Sequence, residues 1–154
     1  MDKKRGFEIA KGWEDKEINL PIRKTKHSAA YDLEAAEDIL LPSFKRGMKP
    51  SLIPTGLKAY MMEDEVLMIF PRSSSPKKQG ILFPHSVGVI DSDYYGNVDN
   101  DGHIMVAFYN VRDEEVLIKK GEKIAQCIFQ KYLTVDNDDA TGKRIGGFGS
   151  TSKN

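Results

Sequence analysis

Apolar residues recur along this chain in short alternating runs rather than in helical stripes. Four runs have strand length and are bounded by Gly, Pro, Asn or Asp: GLKAYMM (56–62), EVLMIF (65–70), GHIMVAFYNV (102–111) and KIAQCIFQKYL (123–133). No window keeps a helix-period stripe for three turns, and SSSPKK (73–78) is the best candidate for a short helix. Many short strands with closely spaced turns predict an all-β sandwich, barrel or jelly roll.

The end of the chain has a different pattern. The segment DNDDATGKRIGGFGSTSKN (136–154) carries only Ile145 and Phe148 as large apolar residues. Such a segment buries too little apolar surface to order itself. We therefore expect a β-barrel core domain over residues 1–135 and a flexible, Gly-rich flap over residues 136–154. An aromatic residue between glycines, as in GGFGST, suits a flap that closes over a ligand.

Composition limits the classes of partner. The chain has 154 residues, enough for one domain with a sizeable core, and its 23 Lys and Arg balance its 23 Asp and Glu. This balance argues against a nucleic-acid binder, which usually has a basic excess. No run approaches the roughly 18 apolar residues of a membrane span. A single cysteine, Cys127, excludes an internal disulfide and is typical of a protein in the reducing cytoplasm.

Five stretches occur in an order and spacing that carry a specific resemblance. They are AAYDLEAAED (29–38), PRSSSPKKQG (71–80), GVIDSDYYGN (88–97), KGEKIAQCIF (120–129) and GGFGSTS (146–152). This set resembles the five motifs of the trimeric dUTP pyrophosphatases (dUTPases), over about residues 24–152. The resemblance implies a dUTPase-like distorted β-barrel or jelly roll with one short helix. It also implies a homotrimer with shared active sites that hydrolyses dUTP to dUMP and pyrophosphate.

The third motif implies the residues closest to the chemistry. Asp91 matches the family aspartate that activates a water for attack on the α-phosphorus. An apolar setting beside Val89 and Ile90 suits a rigidly aimed general base, and we expect Asp91 to be poorly solvated. Tyr94 matches the tyrosine that packs on deoxyribose and leaves no room for a 2′-hydroxyl. The hairpin at Gly88, Val89 and Ile90 matches the one that offers backbone groups to uracil.

The first, second and fourth motifs imply groups near the phosphates. Arg72 and Ser73 match the phosphate-handling pair of the family, and Ser74 stands where many members have glycine. Gln126 matches the glutamine that binds phosphate and helps to place the water. With period two it shares a strand face with Ile124 and Ile128, and a polar amide on such a face needs a partner. Asp32 matches an aspartate near the magnesium-bound phosphates.

The fifth motif implies the closing contacts. Phe148 matches the aromatic residue that stacks over uracil when the tail closes, and base–aromatic stacking is worth roughly 1–3 kcal/mol. Ser150 and Thr151 match residues that contact the phosphates. The family usually has an arginine three residues before the first glycine. Here Lys143 holds that position and Arg144 follows, so either cation is a candidate for the γ-phosphate.

Two further features separate this chain from the family pattern. His85 stands three residues before Gly88, where many members carry an asparagine that helps to read uracil. A histidine can donate or accept, which leaves the selectivity against dCTP and dTTP open. The segment NVDNDGH (97–103) is longer than the family's usual turn. It is either a surface elaboration or a site for a regulatory protein partner.

Magnesium is the cofactor that the resemblance implies, held by the substrate phosphates rather than by a protein cage. The sequence agrees, since its three histidines have no metal-ligand spacing. Two other readings stay open. One is a dCTP deaminase of the same fold, although the hairpin lacks the arginine and glutamate that deamination needs. The other is a dUTPase-like phage regulator that binds a protein partner.

Overall fold

The computed structural model describes residues 2–47, 49–75 and 80–149. Its strands are short and lie close together along the chain. In order they are β1 (Gly6–Ile9), β2 (Tyr31–Glu34), β3 (Ile39–Leu41), β4 (Ser51–Pro54), β5 (Leu57–Tyr60), β6 (Glu65–Pro71), β7 (Ile81–Leu82), β8 (Gly88–Asp91), β9 (Met105–Asn110), β10 (Val116–Ile118) and β11 (Lys123–Lys131). Two 3-10 helices lie at Phe44–Arg46 and Ser92–Tyr94. The helix predicted at 73–78 falls partly on residues 76–79, outside the described residues.

The alternating runs of the sequence are strands β5, β6, β9 and β11, so the predicted all-β class is confirmed. The strands form a four-stranded sheet in the order β2-β11-β6-β8 and a three-stranded sheet in the order β4-β9-β7. Two further pairs, β1-β5 and β10-β3, flank them. The sheets do not close into a barrel, and their arrangement fits a jelly roll. Across the described ranges, no helix has the length and apolar character to cross a membrane.

The core lies between the inner faces of these sheets. Leu67 and Ile69 of β6 and Cys127 of β11 point inward, next to Val106 and Phe108 of β9. All five are buried because successive side chains of a strand alternate between faces, and these five inner positions are apolar. Burial of this kind stabilises a fold by about 25 cal/mol for each Å² of apolar surface.

A β-bulge changes the face of one residue near the site. The register of β11 against β2 shifts between Lys123 and Ala125, and the extra residue turns Ile124 into the core, where it is fully buried. The expectation that Ile124 shares a face with Gln126 is therefore wrong. Gln126 and Ile128 do lie on one face, the outer face of the sheet.

That outer face is apolar in its centre and stays partly exposed in the single chain. Val66, Met68 and Phe70 of β6 and Ile128 of β11 alternate with core residues and are only half-buried. Val89 of β8, next to Met68 in the register, is 59% exposed. We call these five residues the outer apolar face.

His103 ties the N-terminal segment to the strands beside the site. Its Nε2 accepts a hydrogen bond from the backbone N–H of Gly56 (2.9 Å), and its ring packs on Trp13 with centroids 5.2 Å apart. The ring is buried, and this desolvation lowers the pKa of His103 below its ordinary value. The native state therefore holds a neutral imidazole whose bare nitrogen is an acceptor.

This linkage predicts acid sensitivity. The unfolded chain binds the proton of His103 more readily than the native state, so stability falls as the pH drops below about 6.5, the ordinary histidine pKa. Urea unfolding at pH 7 and pH 5 measures the loss. We expect His103→Gln to be less stable at pH 7 and to lose less on acidification than the wild type. His27→Gln, at an exposed histidine, is the matched control. An equal pH dependence of stability in wild type and His103→Gln contradicts the role given to His103.

Candidate active site

A cavity of about 270 Å³ opens at the edge of the four-stranded sheet. Its wall combines strand β8, the turn before it, the 3-10 helix after it and the tail of the chain. Eight predicted site residues line it together: His85, Gly88, Val89, Ile90, Asp91, Tyr94, Arg144 and Phe148. Ile69, Phe83 and Met105 add apolar surface. An apolar cavity with a few convergent polar groups is the usual form of a small-molecule site.

Strand β8 forms the polar edge of the cavity. It is the last strand of its sheet and pairs only with β6 in the described ladders, from Val66↔Asp91 to Ile69↔Gly88. Half of the backbone N–H and C=O groups of an edge strand point away from its partner. These groups are available to a ligand with its own donors and acceptors.

The turn before β8 differs from the predicted hairpin. Strand β7 belongs to the three-stranded sheet, so residues 83–87 connect two sheets rather than two paired strands. Ser86 has a positive φ of 68°, and the N–H of Val87 donates to the carbonyl of His85 (2.8 Å). The Nδ1 of His85 lies 3.0 Å from the carbonyl of Val87. Because a carbonyl only accepts, Nδ1 carries the proton and Nε2 of a neutral ring is left as an acceptor.

Asp91 is the carboxylate of the cavity. Its side chain is 52% exposed, because β8 is an edge strand and Asp91 points to the outer face with Val89. The predicted apolar, poorly solvated setting is therefore wrong for the single chain. The guanidinium of Arg144 contacts Asp91 through Nη2 and donates to Asp93 through Nε (2.8 Å).

Tyr94 forms the back of the cavity. It ends the 3-10 helix and is only 5% exposed. Its hydroxyl donates to the carbonyl of His103 (2.7 Å) and accepts from Nδ2 of Asn100 (2.8 Å). Burial raises the pKa of Tyr94 above its ordinary value. The ring is thus neutral and held from behind.

The tail folds over the front of this ring. Arg144 is 11% exposed, and its guanidinium lies 5.9 Å from the ring centroid of Tyr94. Gly147 approaches the ring so closely that a Cβ there would lie 2.7 Å from Tyr94. Phe148 has a positive φ of 47° and is 64% exposed, so its ring lies at the cavity mouth and remains free to pack on a ligand. Lys143 is exposed outside the cavity.

Ser150 and Thr151 lie outside the described residues. Over residues 136–149 the tail contains no strand or helix, so side-chain contacts hold it in place.

A second group of polar residues lies elsewhere on the same sheet. Asp32 of β2 pairs with Nε of Arg72 (3.7 Å) and with Nζ of Lys123 (3.4 Å). Arg72 also donates to the carbonyl of Lys123 (3.4 Å), and Nε2 of Gln126 donates to the carbonyl of Pro71 (3.1 Å). We call Asp32, Arg72, Lys123 and Gln126 the cationic cluster, because two cations share one carboxylate.

Three serines follow Arg72 in the chain, and two of them, Ser73 and Ser74, are predicted site residues. Ser73 is exposed and Ser74 is half-buried. Both therefore lie beside the cationic cluster rather than in the cavity.

The register of β6 separates the two groups. Asp91 pairs with Val66, whereas Gln126 pairs with Phe70 and Arg72 follows the end of the strand. From Val66 the chain rises about 13 Å to Phe70 and about 20 Å to Arg72, at about 3.3 Å per residue. The outer apolar face lies between the two groups. One chain therefore does not bring Arg72 or Gln126 to its own cavity.

Cys127 takes no part in either group. It lies on the face opposite Gln126, as predicted, and is fully buried. Burial, together with the negative charge of Asp32, raises the pKa of its thiol to about 12. A thiol held neutral in this way is a poor nucleophile and metal ligand.

Three residues that contact the predicted site were missed in the sequence. Lys123 pairs with Asp32, while Asn100 and the backbone of His103 hold Tyr94. The signal for Lys123 was its place three residues before Gln126 in the fourth motif. For Asn100 the only signal was the dense run of Asn and Asp after Tyr94, which we interpreted as a surface elaboration or a site for a protein partner.

The geometry defines a class of site on an all-β fold. A cavity with a backbone edge and aromatic lining residues suits a planar base, and a nearby carboxylate and guanidinium suit hydrolysis of an anionic chain. The dUTPase family model matches residues 16–152. The chain belongs to the dUTPase family.

Similar proteins agree with this assignment. The deoxyuridine 5'-triphosphate nucleotidohydrolase of Lactococcus lactis is 51% identical over 149 residues, covering 96% of this chain and 97% of the relative. The crystal structure of dUTPase from Streptococcus mutans superposes with a TM-score of 0.79 at 43% identity, covering 86% of this chain and 99% of that one.

A more distant structure shares the fold. A mutant dUTPase from phage phi11 of S. aureus, described with a structural Mg(II) ion, superposes with a TM-score of 0.68. It is 17% identical, and the match covers 91% of this chain and 98% of that one.

The contact between Gly147 and Tyr94 predicts how the tail is held. In Gly147→Ala the added methyl meets a ring that cannot retreat, because Asn100 and His103 hold it from behind. We expect the tail to detach and trypsin to cleave after Arg144 roughly tenfold faster, as for a steric change of about 1.4 kcal/mol. Gly142→Ala is the matched control, since a Cβ at Gly142 meets nothing within 4 Å. Equal cleavage of the two variants contradicts the contact.

Proposed function

We propose that Asp91 is the general base of a dUTP diphosphatase. As a member of its family, the chain hydrolyses dUTP to dUMP. In the proposed step, Asp91 accepts a proton from a water molecule while the water oxygen attacks the α-phosphorus. The bond to the bridging oxygen breaks and pyrophosphate leaves. The observation that carries this proposal is the position of Asp91 at the end of an edge strand whose free backbone groups face the same cavity.

The base and sugar have distinct partners in this proposal. The uracil edge pairs with backbone groups of Gly88, Val89 and Ile90, and the bare Nε2 of His85 accepts from the N3–H of uracil. Cytosine lacks a hydrogen on that nitrogen, so it leaves the acceptor unpaired, which is an effective way to reject an analogue. The deoxyribose packs on Tyr94, and Phe148 stacks on the base.

In the proposal, the cationic side chains of the tail bind the phosphates of dUTP. Arg144 sits beside Asp91 and is the better placed of the two tail candidates, because Lys143 lies outside the cavity. In the proposal Arg144 exchanges its carboxylate partners for phosphate oxygens, for which a guanidinium fork is well suited. The flap over residues 136–154 closes through this exchange, and Ser150 and Thr151 are assigned to the same phosphates.

A homotrimer with shared sites is the assembly that we propose. Adjacent phosphates are joined through single oxygens, so groups about 13 to 20 Å apart along one strand do not serve the same triphosphate. Arg72, Ser73, Ser74 and Gln126 are therefore assigned to the cavity of a neighbouring subunit. The outer apolar face supports the assembly, since burying exposed apolar surface favours association.

The tail has the length to reach a neighbour. Leu133 and Val135 are almost fully exposed and lead into an irregular segment. The stretch from residue 133 to residue 144 spans up to about 36 Å when extended, at about 3.3 Å per residue. We propose that in the trimer the flap of a neighbouring subunit takes the place that the chain's own tail has in the single chain, over Tyr94 and beside Asp91.

Magnesium is proposed to enter with the nucleotide. Among the described residues, no three His, Cys, Asp or Glu side chains converge to hold a metal ion, and a triphosphate supplies the oxygens that Mg²⁺ prefers. When bound, Mg²⁺ neutralises phosphate charge. Asp32, between Arg72 and Lys123, is the carboxylate that would face the water shell of the ion.

We also assign the enzyme to the cytoplasm. Its buried Cys127, which forms no disulfide, supports this assignment.

The proposed step predicts a selective loss of activity. Asp91→Asn keeps the shape but cannot accept the proton, so kcat for dUTP falls by a factor of about 10² to 10⁴. A pyrophosphate assay with Mg²⁺ on dUTP, dCTP, dTTP and UTP measures it, with Asp64→Asn, on an exposed turn, as the control. Ammonia released from dCTP indicates a deaminase. If a folded trimer releases no product from any of the four nucleotides, the result favours a regulatory binding protein.

The shared site predicts complementation between inactive chains. Asp91→Asn and Arg72→Ala are mixed in equal amounts, unfolded and refolded together. If Asp91 and Arg72 of one site come from different subunits, about a quarter of the sites receive both native residues, and about a quarter of wild-type activity returns. No recovery above the single variants contradicts the shared site. Size-exclusion chromatography with light scattering checks the mass against three times 17.3 kDa.

A further inference from the structure

The segment 97–103 packs directly behind Tyr94 and is ordered by its own side chains. Asn97 donates through Nδ2 to the carbonyl of Tyr94 (2.7 Å), while its Oδ1 accepts from the N–H groups of Asp99 (3.0 Å) and Asn100 (3.1 Å). Gly102, with a φ of +88°, comes so close that a Cβ would lie 2.8 Å from the carbonyl oxygen of Tyr94. The segment is therefore a built support and not a loose surface loop.

Both hydrogen bonds of the Tyr94 hydroxyl go to this segment. The hydroxyl donates a hydrogen bond to the carbonyl of His103, and its oxygen accepts one from Nδ2 of Asn100. The carbonyl of His103 is fixed in turn, because its ring is anchored on Gly56 and Trp13. Asn100 is thus the one side chain in the described residues that donates to this hydroxyl.

Rejection of a 2′-hydroxyl by a ring is steric and depends on the ring staying in place. A shift well below 1 Å opens room for one more oxygen atom, and binding sites keep such precision only when neighbouring groups lock the side chain. Gly147 of the tail lies close against the front of the Tyr94 ring. The groups behind the ring therefore determine how far it can move.

We propose that Asn100 is a positioning residue that fixes the ring of Tyr94 and thereby sets the discrimination between deoxyribose and ribose. The inference rests on the proposed function, in which Tyr94 faces the sugar. It also gives the segment 97–103 a role inside the enzyme rather than on its surface.

The side chain of Asn100 offers a way to separate its two tasks. Its Oδ1 accepts from the N–H of Gly102 (3.1 Å) and from Nδ2 of Asn97 (2.8 Å), which orders the segment. Its Nδ2 donates to Tyr94. Asn100→Asp keeps the acceptor and the shape but removes the donor. The added charge affects dUTP and UTP alike, because both carry the same triphosphate, and it cancels in their ratio.

The test compares kcat/KM for dUTP and UTP in wild type, Asn100→Asp, Tyr94→Phe and the double variant. We expect each single variant to lower the dUTP-to-UTP ratio about tenfold, mainly through a gain on UTP. The double variant should show no further loss than Tyr94→Phe, since that change already removes the hydrogen bond from Asn100. Asp99→Asn, a neighbour with no bond to Tyr94 among the described contacts, is the control and keeps the wild-type ratio.

Each other outcome has one meaning. Equal losses on both substrates in Asn100→Asp, or additive losses of the ratio in the double variant, overturn the positioning role. If Asn100→Asp fails to fold, Tyr94→Phe alone decides, because an unchanged ratio there shows that the hydroxyl anchor does not set discrimination. If the wild type releases no pyrophosphate from dUTP, the proposed function fails, and this inference fails with it.

Discussion

The antiparallel register of β6 with its two neighbours controls the geometry of the site. The ladder pairs Val66 with Asp91 on one side and Phe70 with Gln126 on the other. Each pairing is locked because a slip of one residue would turn Leu67 and Ile69 out of the core. The positions of the carboxylate and of the cationic cluster are thus consequences of core packing, and the distance between them cannot relax within one chain.

The distance between Asp91 and the cationic cluster bears on the role of the outer apolar face. A half-exposed stripe of Val66, Met68, Phe70 and Ile128 would be a liability on an isolated molecule. It lies between the cavity and the cationic cluster, which one chain leaves apart, so in the proposed homotrimer its burial would bring the two groups together. The inner face of the same sheet serves stability, and its outer face serves the proposed assembly.

Tyr94 links the core to the tail. Behind the ring, the segment 97–103 satisfies the hydroxyl, and in front of it Gly147 and Arg144 close the cavity. Over the described residues 136–149 the tail has no strand or helix, and the packed ring of Tyr94 and the ion pairs of Arg144 help to order it. A neutral, fully hydrogen-bonded phenol is a suitable support, since it leaves no polar group unpaired behind the cavity.

Much of the fold could be predicted from the alternation of apolar residues, which correctly gave strands β5, β6, β9 and β11. The alternation identifies the two faces of a strand but not its place in a sheet. For that reason Asp91 was expected in an apolar setting, although it ends an exposed edge strand, and Ile124 was assigned to the wrong side of a bulge. The connection at His85 was taken for a hairpin, although its two strands join different sheets.

The sequence by itself determined strands β5, β6, β9 and β11, the residues that bound them and the residue types of the five motifs, because these depend on neighbours along the chain. Only the tertiary structure decided that Arg144 meets Asp91, that Asn100 meets the hydroxyl of Tyr94 and that Arg72 stays away from the cavity. Such contacts join residues far apart in the chain, and they follow from which strands pair and in which register. That choice is made by the packing of the whole core, which no local pattern encodes.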